Sequence, residues 1–577
     1  MSSRRIVVTA LAALTALLGA CDDGAAGDDD GGPDAGPDAG PDPSEAVYDP
    51  THIVEVDIEL PAADWNALRV QTRNLNALFG ANCLAQPFSD PFTYFRGTVT
   101  VDGQRLTDVG VRKKGFLGSL DGEKPSIKLK FDEYIDRRFA GLKTLTLNNS
   151  KQDPSFLRQC LSYQTFTAAG VPASRCNFAH VRVNGVDLGI FVNVEAANKD
   201  LLRRHFDDED GNLYEGTLSD FRPGWTGTFE LKTNELVNDR ADLDAMVTAL
   251  QLPDSQLLAG LEPIVDVDNF LTYWAAETLI THWDGYTGNA NNFYAYHDPI
   301  SGRFQFLPWG VDGTLAPGAN PFGGGGSAAV QATSLLPRRL YQLPATRDRY
   351  VARLRALLED AWDEDSLLAE VDRVEALITP VAAAADRVEL ATAIDLVRDF
   401  VTTRRAAIDA DLAGGPPVLT APLRDQPCFE VIGNLAGTFS TRWGTAGAPN
   451  PFTTGSGTLT GTVSGAALQV TQVGATSGVD PEAVPAKNQV AMIASLADGT
   501  AAIVVFQIEP SAFAPNVDLA IDWGTVIGVA YRYTPATNTF ALVGLIGDGT
   551  LHLGPAGTTS SAVVSGSFSG NLIRSPF

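Results

Sequence analysis

The chain has 577 residues, of which 44% are hydrophobic and 19% charged, a balance typical of globular proteins with ample cores. This length is too great for one domain, so two or three domains are expected. The formal net charge of −27 repels phosphate backbones, which argues against nucleic-acid binding and favours a basic protein partner.

The first residues have the pattern of a bacterial export signal. The basic stretch MSSRR precedes the apolar run IVVTALAALTALL, which is too short for a good membrane-spanning helix. The run ends in Leu18-Gly19-Ala20-Cys21, which resembles the lipobox of bacterial lipoproteins. That resemblance implies a lipoprotein signal peptide over residues 1–21, with Cys21 lipidated. An ordinary cleaved signal that contains a cysteine is the alternative.

An acidic segment follows the signal. Residues 22–46, DDGAAGDDDGGPDAGPDAGPDPSEA, have almost no apolar side chains and carry many like charges. Such a segment cannot bury a core, so we predict a disordered tether rich in Asp, Gly and Pro. Together with the lipid anchor it predicts a protein of the bacterial cell envelope, on the outer membrane, facing the periplasm or the exterior.

Four further cysteines form no C-x-x-C pair and have no histidine at metal-ligand spacing. In an oxidising compartment four cysteines predict two disulfides, for which three pairings exist. The first choice joins Cys160 to Cys176 across a short loop and leaves Cys83 for Cys428.

Residues 47–415 begin with strand patterns. HIVEVDIEL alternates as a strand, and PAADWNALRVQTR follows as a helix. YFRGTVTVDGQRLTDVGVRKKG predicts a hairpin that turns at Asp102-Gly103. PSIKLKFDEY predicts another strand, with Lys128 and Lys130 on the face opposite to its apolar residues.

Helical patterns become more frequent in the second part of this region. The sequence predicts a helix in DPSFLRQCLSYQTFTAAG, a hairpin in FAHVRVNGVDLGIFVNVE with its turn at Asn184-Gly185, and a short helix in NKDLLRRHF. The apolar VDNFLTYWAAETLI leads into the polar loop THWDGYTGNANNFYAY, and then a strand, a turn and a second strand follow. From residue 337 to about 413 the pattern is helical.

The composition changes at AGGPPVLTAP. Residues 424–577 are rich in Gly, Thr, Ser and Val and contain short alternating runs such as AAIVVFQIE and VIGVAYRYT. This spacing predicts a separate all-β domain, either a sandwich or a barrel.

The parts of residues 47–415 follow the order found in protein kinases. A lysine-bearing strand comes first, then a helix and a hairpin, then a polar loop with Asp284, and finally a hairpin and a loop with Asp312. Phosphoryl transfer requires cations to neutralise phosphate charge, and Mg²⁺ prefers carboxylate and amide oxygens as ligands. The short hairpin can bring the two aspartate loops to one edge of a sheet.

At this point the sequence resembles the spore-coat protein H (CotH) kinase family, over roughly residues 50–350. The resemblance lies in VGVRKKG, KPSIKLKFDEY, GLKTLTLNN, DPSFLRQCLSYQTFTAAGVPASR, VRVNGVDLGIFVNVEAANKDLLRRHF, THWDGYTGNANNFYAYHD and GRFQFLPWGVD. It implies an atypical protein-kinase fold and Mg-ATP-dependent (or Mn²⁺-dependent) phosphorylation of serines on partner proteins. The expected fold class is therefore α+β: an atypical protein-kinase-like domain followed by the smaller all-β domain.

The resemblance assigns roles to individual residues. Asp284 matches the catalytic-loop aspartate and Asp312 the metal aspartate. Asn292 best matches the metal-binding amide, and Asn289 is its rival because it lies five residues after Asp284. The residues expected at the nucleotide are Arg112, Lys114 and Lys128 at the phosphates, and Glu195 at the hinge beside the adenine.

One position departs from the family pattern. Many members read W-D-x-D after the second strand, whereas this chain has Trp309-Gly310-Val311-Asp312. Loss of the first carboxylate leaves two hypotheses open. The first is an exported, membrane-anchored kinase that acts on Ser or Thr of a protein partner, which is basic or rich in serine. The second is a catalytically inactive surface lipoprotein for binding or adhesion.

Each assigned residue also has a simpler structural interpretation. Asp284 and the asparagines can form a plain polar turn, because Asp, Asn and Gly favour turns. Lys128, like the other basic strand residues, can belong to a solvated strand face. Glu195 can cap the following helix at the surface.

Overall fold

The structure, a computed structural model, describes residues 42–73, 78, 80, 82–236, 239–316, 326–480, 483, 486–521 and 525–574. The predicted signal peptide with Cys21, and most of the predicted tether, lie outside the described residues. Among the described residues, no helix combines the length and the apolar character needed to cross a membrane.

The described chain divides into two compact units. The mixed unit contains the described residues up to 72 together with 84–424, and the β unit contains 425–574 together with the described residues of 73–83. The segment 73–83 lies between two strands of the mixed unit in sequence, and nothing in its pattern indicates that it belongs to the β unit.

The mixed unit begins with a closed seven-stranded barrel. Its strands are β1 Ile53–Glu59, β2 Phe95–Val101, β3 Gln104–Lys114, β4 Ser126–Lys130, β5 Thr144–Asn148, β6 Cys176–Val183 and β7 Val186–Val194. The order around the barrel is β1-β2-β3-β4-β5-β7-β6, and β1 closes it by pairing antiparallel with β2 and parallel with β6. Alternate side chains of the strands, such as Val56, Val99 and Leu129, fill the interior.

Local backbone chemistry sets the two predicted hairpin turns. Asp102 and Gly103 have φ values of 46° and 81°, and Asn184 and Gly185 have φ values of 52° and 78°. Two consecutive residues with positive φ favour Asn, Asp and Gly, because other side chains are strained there. Both predicted turn positions are therefore confirmed.

A smaller sheet and the helices form the rest of the mixed unit. The sheet has the order β11-β10-β8-β9, with β8 Asn212–Gly216, β9 Glu230–Leu231, β10 Phe293–Asp298 and β11 Arg303–Pro308. The helices are α1 Ala62–Val70, α2 Arg158–Ala168, α3 Lys199–His205, α4 Ala241–Leu250, α5 Asp254–Leu261, α6 Val267–Leu279, α7 Tyr286–Asn289, α8 Leu335–Gln342, α9 Pro344–Asp360, α10 Glu364–Ile378 and α11 Arg387–Leu412.

Helix α6 lies at the centre of the hydrophobic core that the smaller sheet and the helices form. Its residues are buried on almost every side, including its polar Glu277 and Thr278. Phe270 packs edge-on against Phe306 of β11 with ring centroids 4.8 Å apart, and Trp274 stacks on Tyr350 at 3.9 Å. Burial of large aromatic side chains supplies much of the stability of such a core, so the loop that follows α6 has a rigid support.

The β unit consists of one ten-stranded antiparallel sheet. Its strands are β12 Glu430–Arg442, β13 Gly455–Val463, β14 Ala466–Ala467, β15 Val470–Asp480, β16 Lys487–Leu496, β17 Ala501–Ile508, β18 Val517–Ile521, β19 Val526–Thr534, β20 Thr539–Ala556 and β21 Val563–Arg574. The sheet curls so that β12 comes close to β15, where the Thr441 hydroxyl of β12 donates to the carbonyl of Ala475 in β15 at 3.0 Å. The predicted all-β character is confirmed, and the curled single sheet is closer to the barrel alternative than to a sandwich.

Both predicted disulfides are present. Cys160 bonds to Cys176 across 16 residues, and Cys83 bonds to Cys428 across 345 residues. The first joins α2 to the start of β6, and the second lies within the β unit.

The last residues of the predicted tether are ordered. A 3₁₀ helix spans Pro43–Tyr48, and the Asp42 side chain accepts a hydrogen bond from the Ser44 amide at its start. The Arg175 guanidinium binds Glu45 at 2.8 Å and the Ser44 hydroxyl at 2.9 Å. These contacts with Arg175 hold Ser44 and Glu45 in place, although the acidic composition alone assigns both residues to the tether.

Candidate active site

The polar loop that follows α6 turns sharply and enters β10. Its backbone has positive φ at Thr281, Ala290 and Asn292, with values of 55°, 54° and 47°. Positive φ strains ordinary side chains by about 1–3 kcal/mol, so the surrounding packing must hold these residues in place. Strain of this kind concentrates at functional sites, which favours a role for this loop beyond that of a polar turn.

Three amide groups of this loop hold the carboxylate of Asp284. Asn289 donates from Nδ2 to Oδ1 at 2.6 Å, Asn291 donates to Oδ1 at 3.1 Å, and Asn292 donates to Oδ2 at 2.9 Å. All four residues are buried, with Asp284 only 2% exposed. A buried carboxylate with three donors from its own loop has a fixed orientation.

Glu277 of α6 accepts three hydrogen bonds, two of them from backbone amides of the loop and one from Tyr273 of its own helix. Its Oε1 accepts from the Tyr286 amide at 3.0 Å and from the Tyr273 hydroxyl at 2.6 Å, and its Oε2 accepts from the Thr287 amide at 2.9 Å. These amides are at the N-terminus of α7, where backbone donors have no partner within the helix. The Glu277 carboxylate thus replaces an N-cap side chain and ties the loop to the core helix.

Asp312 lies in the 3₁₀ turn Val311–Gly313 that follows β11. Its side chain is 4% exposed, and among the described residues its Oδ1 atom has no hydrogen-bond partner. Burial raises the pKa of Asp312 to about 7, and the negative charges of Asp284 and Asp153 add to this rise. The two buried aspartates therefore form one region of negative charge, which a cation would stabilise.

Gly310 and Asn292 are complementary in shape. Gly310 has a φ of 53°, and a Cβ atom at this position would lie 2.5 Å from Cγ and Oδ1 of Asn292. The Asn292 amide, which donates to Asp284, therefore occupies the space that a side chain at position 310 would need. The departure from W-D-x-D is accommodated by this packing of Asn292.

The three predicted phosphate-binding cations project from one face of β3 and β4. Arg112 pairs with Lys128 in the antiparallel register, and Lys114 pairs with Ser126, so the three side chains share a face. Lys128 is 2% exposed and Lys114 is fully buried, so this is not a solvated strand face.

These cations do not all point to the same partners. Lys114 donates to Asn148 Oδ1 at 3.1 Å, and its Nζ atom lies 5.5 Å from the ring centre of Trp309, three residues before Asp312. Arg112 instead forms an ion pair with Asp90 and lies over the Tyr94 ring. The structure thus brings Lys114 towards the turn that carries Asp312 and gives Arg112 a carboxylate partner.

Glu195 follows β7 and is buried among arginines. Arg175 donates to its Oε1 from Nη2 at 2.7 Å, and Arg204 also forms an ion pair with it. The carboxylate is 1% exposed, so it is not a surface cap of the following helix. Its place beside a nucleotide stays a prediction.

Comparison with known proteins identifies the family of this chain. A family model described as CotH kinase protein matches residues 111–407, more than half of the chain. The chain belongs to the CotH kinase family. This confirms the resemblance drawn from the motifs, and the matched range contains Asp284, Asp312 and all the predicted phosphate-binding residues.

Two relatives show how far the similarity to other CotH proteins extends. Inner spore coat protein H of Bacillus subtilis is 25% identical over 224 residues, which cover 37% of this chain and 60% of that protein. Invasin CotH3 of Rhizopus delemar is 25% identical over 198 residues, which cover 30% of this chain and 33% of that protein. The chain therefore spans less than two thirds of the length of either relative.

A solved structure of a kinase also matches. The proinflammatory kinase CtkA of Helicobacter pylori is 11% identical and covers 50% of this chain and 91% of its own length, with a TM-score of 0.27.

The candidate site includes residues that the sequence did not single out. Asn291 and His282 belong to the loop itself, and Glu277 binds the loop from α6. His282 Nδ1 lies 3.2 Å from Glu277 Oε1. The spacing of His282 and Asp284 is similar to the H-x-D motif of protein kinases, so a signal for His282 was present. Glu277 had no such signal, because its carboxylate meets the loop only through the fold.

A metal at this site would need ligands in addition to the protein's acidic side chains. Among the described residues, no group of three or more His, Cys, Asp or Glu is arranged to hold a metal ion. Mg²⁺ in kinases typically binds one or two carboxylates together with substrate phosphates and waters. The unbonded, buried Oδ1 of Asp312 fits such a partial site.

Proposed function

We propose that this CotH kinase family member is an exported, membrane-anchored atypical protein kinase that transfers the γ-phosphate of ATP to Ser or Thr hydroxyls of a partner protein. The observation that carries the proposal is the pair of buried aspartates. Asp284 is oriented by three amides, and Asp312 is close enough for the charge of Asp284 to raise its pKa.

In the proposed reaction, Asp284 orients the acceptor hydroxyl. The hydroxyl oxygen attacks the γ-phosphorus, the bond from that phosphorus to the bridging oxygen of ADP breaks, and the hydroxyl proton passes to the carboxylate. The amide donors from Asn289, Asn291 and Asn292 keep this carboxylate in one orientation. Preorganisation of this kind reduces the reorganisation needed at the moment of transfer.

Asp312 and Asn292 are the residues proposed to hold Mg²⁺ (or Mn²⁺), which when bound would neutralise charge on the ATP phosphates. Asn289 is the weaker candidate, because its Oδ1 atom already accepts a hydrogen bond from Arg424 at 2.6 Å. Lys114, with Lys128 beside it, is proposed to bind the phosphates, since both are buried on the face that leads to Trp309.

The anchor and the partner are also proposals. Lipidation at Cys21 would attach the protein to the bacterial envelope through the acidic tether. The net charge of −27 favours a basic or serine-rich protein as the substrate. Replacing Cys21 by Ala would release the protein from the membrane fraction, and mass spectrometry of the N-terminal peptide would show whether an acylated Cys21 is the first residue.

A second candidate function is a pseudokinase that binds a partner without catalysis. The observation in its favour is Gly310, which stands where many family members have a carboxylate and whose side-chain space Asn292 fills. The two candidates differ in whether the site binds Mg-ATP and transfers phosphate.

Calorimetric titration with Mg-ATP and transfer from labelled ATP to a basic, serine-containing peptide test the proposal. The protein lacking residues 1–21 is compared with Asp284→Asn, Asp312→Ala and the exposed control Asp244→Asn. Asp284→Asn should still bind Mg-ATP but lose on the order of 10²-fold or more in transfer. Asp312→Ala should bind Mg-ATP more weakly, and Asp244→Asn should behave as wild type.

Each result separates the candidates. Wild-type protein that binds no nucleotide at millimolar Mg-ATP would support the pseudokinase and reject the kinase. Transfer that is unchanged in both aspartate variants would show that the roles given to Asp284 and Asp312 are wrong.

A further inference from the structure

Residues 413–424, here called the return segment, lie after the last helix α11 and beyond the family match, which ends at 407. The segment is held along the mixed unit by several hydrogen bonds. The Tyr341 hydroxyl donates to the carbonyl of Pro417 at 2.8 Å, and Arg338 donates from Nη2 to the carbonyl of Ala421 at 2.5 Å.

The end of the return segment is linked to the loop that follows α6 by hydrogen bonds of Thr333. The Arg424 amide donates to the carbonyl of Thr333 at 2.7 Å. Thr333 in turn donates from its own amide to the carbonyl of Thr287 at 2.9 Å, and from its hydroxyl to the carbonyl of Gly288 at 2.7 Å. Arg424 is thereby fixed next to α7, the short helix inside the loop.

The Arg424 side chain completes this connection. Its Nε donates to Oδ1 of Asn289 at 2.6 Å, while Nδ2 of the same amide donates to Oδ1 of Asp284, also at 2.6 Å. A guanidinium carries only donors, whereas an amide side chain has one accepting oxygen and one donating nitrogen. Arg424 therefore determines which way the Asn289 amide faces, and the donor end must point to Asp284.

We propose that Arg424 is a positioning residue for phosphoryl transfer, which acts through Asn289 to hold the carboxylate of Asp284. The inference rests on the proposed kinase function for its effect on turnover, but not for its effect on the loop. Hydrogen bonds with a charged partner are about twice as strong as neutral ones, so this contact is a strong restraint on the Asn289 amide. Without it, Asn289 can rotate and place its oxygen against the Asp284 carboxylate, where the two oxygens repel.

The contribution of Arg424 can be separated from the attachment of the return segment. Tyr341 and Arg338 bind the segment independently of the Arg424 side chain, and the Arg424 backbone amide still binds Thr333 after substitution. Truncation of the side chain should therefore leave the segment in place while it removes the contact with Asn289.

The test compares Arg424→Ala and Arg424→Lys with wild type and with Arg349→Ala. Arg349 pairs with Asp268 at 2.7 Å on the exposed side of α9, so its loss removes an arginine ion pair without a link to the loop. Turnover, the KM values for Mg-ATP and acceptor peptide, the melting temperature and amide hydrogen exchange of residues 284–292 are measured for each protein. The single variant Asn289→Ala and the double variant Arg424→Ala with Asn289→Ala complete a mutant cycle.

Arg424→Ala should lower kcat about 10-fold, since loss of a charge-assisted hydrogen bond is of this size. The KM for Mg-ATP should stay near the wild-type value, exchange in residues 284–292 should become faster, and Arg424→Lys should recover part of both losses. Because Arg424 acts through Asn289, the double variant should be no slower than Asn289→Ala alone. Arg349→Ala should leave kcat and loop exchange unchanged.

If Arg424→Ala had the same kcat and the same loop exchange as wild type, the proposed role of Arg424 would be overturned. It would also be overturned if the kcat losses of the two single variants multiplied in the double variant. A wild-type protein without Mg-ATP binding or transfer would instead overturn the proposed function. In that case, faster loop exchange in Arg424→Ala still supports the structural part of the inference, and unchanged exchange overturns it.

Discussion

Replacement of Asp312 by Asn should stabilise the metal-free protein, increasingly so as the pH rises from about 4 to about 7. Burial and the charges of Asp284 and Asp153 raise the pKa of Asp312 from 3.8 to about 7. The folded protein therefore binds this proton more tightly than the unfolded chain, so ionisation of Asp312 lowers the free energy of unfolding. The loss begins as the pH rises above about 4, the ordinary pKa of the group, and is complete above about 7.

The size of this effect follows from the displacement of the pKa. At about 1.4 kcal/mol for each pH unit, the ionised carboxylate costs up to about 4 kcal/mol at pH 8 and almost nothing at pH 4. Asn has a similar shape and carries no charge at either pH. At roughly 2 °C per kcal/mol for a large unit, Asp312→Asn should raise the melting temperature by about 8 °C at pH 8.

Thermal unfolding at pH 4 and pH 8 in the presence of a chelator measures this difference, with tryptophan fluorescence as the signal. The exposed Asp244→Asn should show no comparable change with pH. Addition of Mg-ATP at pH 8 should make the melting temperature of wild type higher than that of Asp312→Asn, since a ligand that binds the native state of wild type stabilises it. If Asp312→Asn raised the melting temperature by the same amount at both pH values, the reasoning would be refuted, because the charge of Asp312 would not be the cause.

Three further substitutions test other parts of the site. Gly285→Ala should destabilise the loop by about 1–3 kcal/mol, because a Cβ atom there overlaps the Glu277 carboxylate; denaturant titration checks this. Gly310→Asp should weaken rather than improve Mg-ATP binding, although it restores the family carboxylate, because it displaces Asn292; higher affinity in calorimetry would contradict that explanation. Lys114→Met should reduce Mg-ATP affinity about 10-fold or more, since it removes a charge-assisted contact to phosphate, and titration at constant salt measures the loss.

The sequence predicted the elements whose causes are local. The hairpin turns at Asp102-Gly103 and Asn184-Gly185 depend on the φ preferences of the turn residues themselves, so their positions were predictable. Asp284 and its asparagines lie within nine residues of one another, and the loop that joins them follows an evident buried helix. The resemblance to the CotH family then assigned the roles.

Contacts between distant residues were not predictable in the same way. Asp90, which pairs with Arg112, lies in a stretch without a strong helix or strand pattern, and the burial of Lys128 follows from tertiary packing. Arg424 is 135 residues from Asn289 in sequence, and a single arginine after a Gly-Pro break carries no sign of its partner. Helix α2 starts at Arg158 rather than near 153, because the Asp153 carboxylate accepts from the amides of Ser155 and Arg158 and forms a turn before the helix.

The placement of Cys83 makes the two units inseparable by a single cut of the chain. The polypeptide leaves the mixed unit after 72, returns at 84, and enters the β unit again at 425. A protease that cleaves between 414 and 424 releases no free C-terminal piece, because the bond from Cys428 to Cys83 still joins that piece to the rest. Reducing agent is therefore needed before the two parts migrate apart, and a fragment that stops at the Gly-Pro break leaves Cys83 as an unpaired thiol.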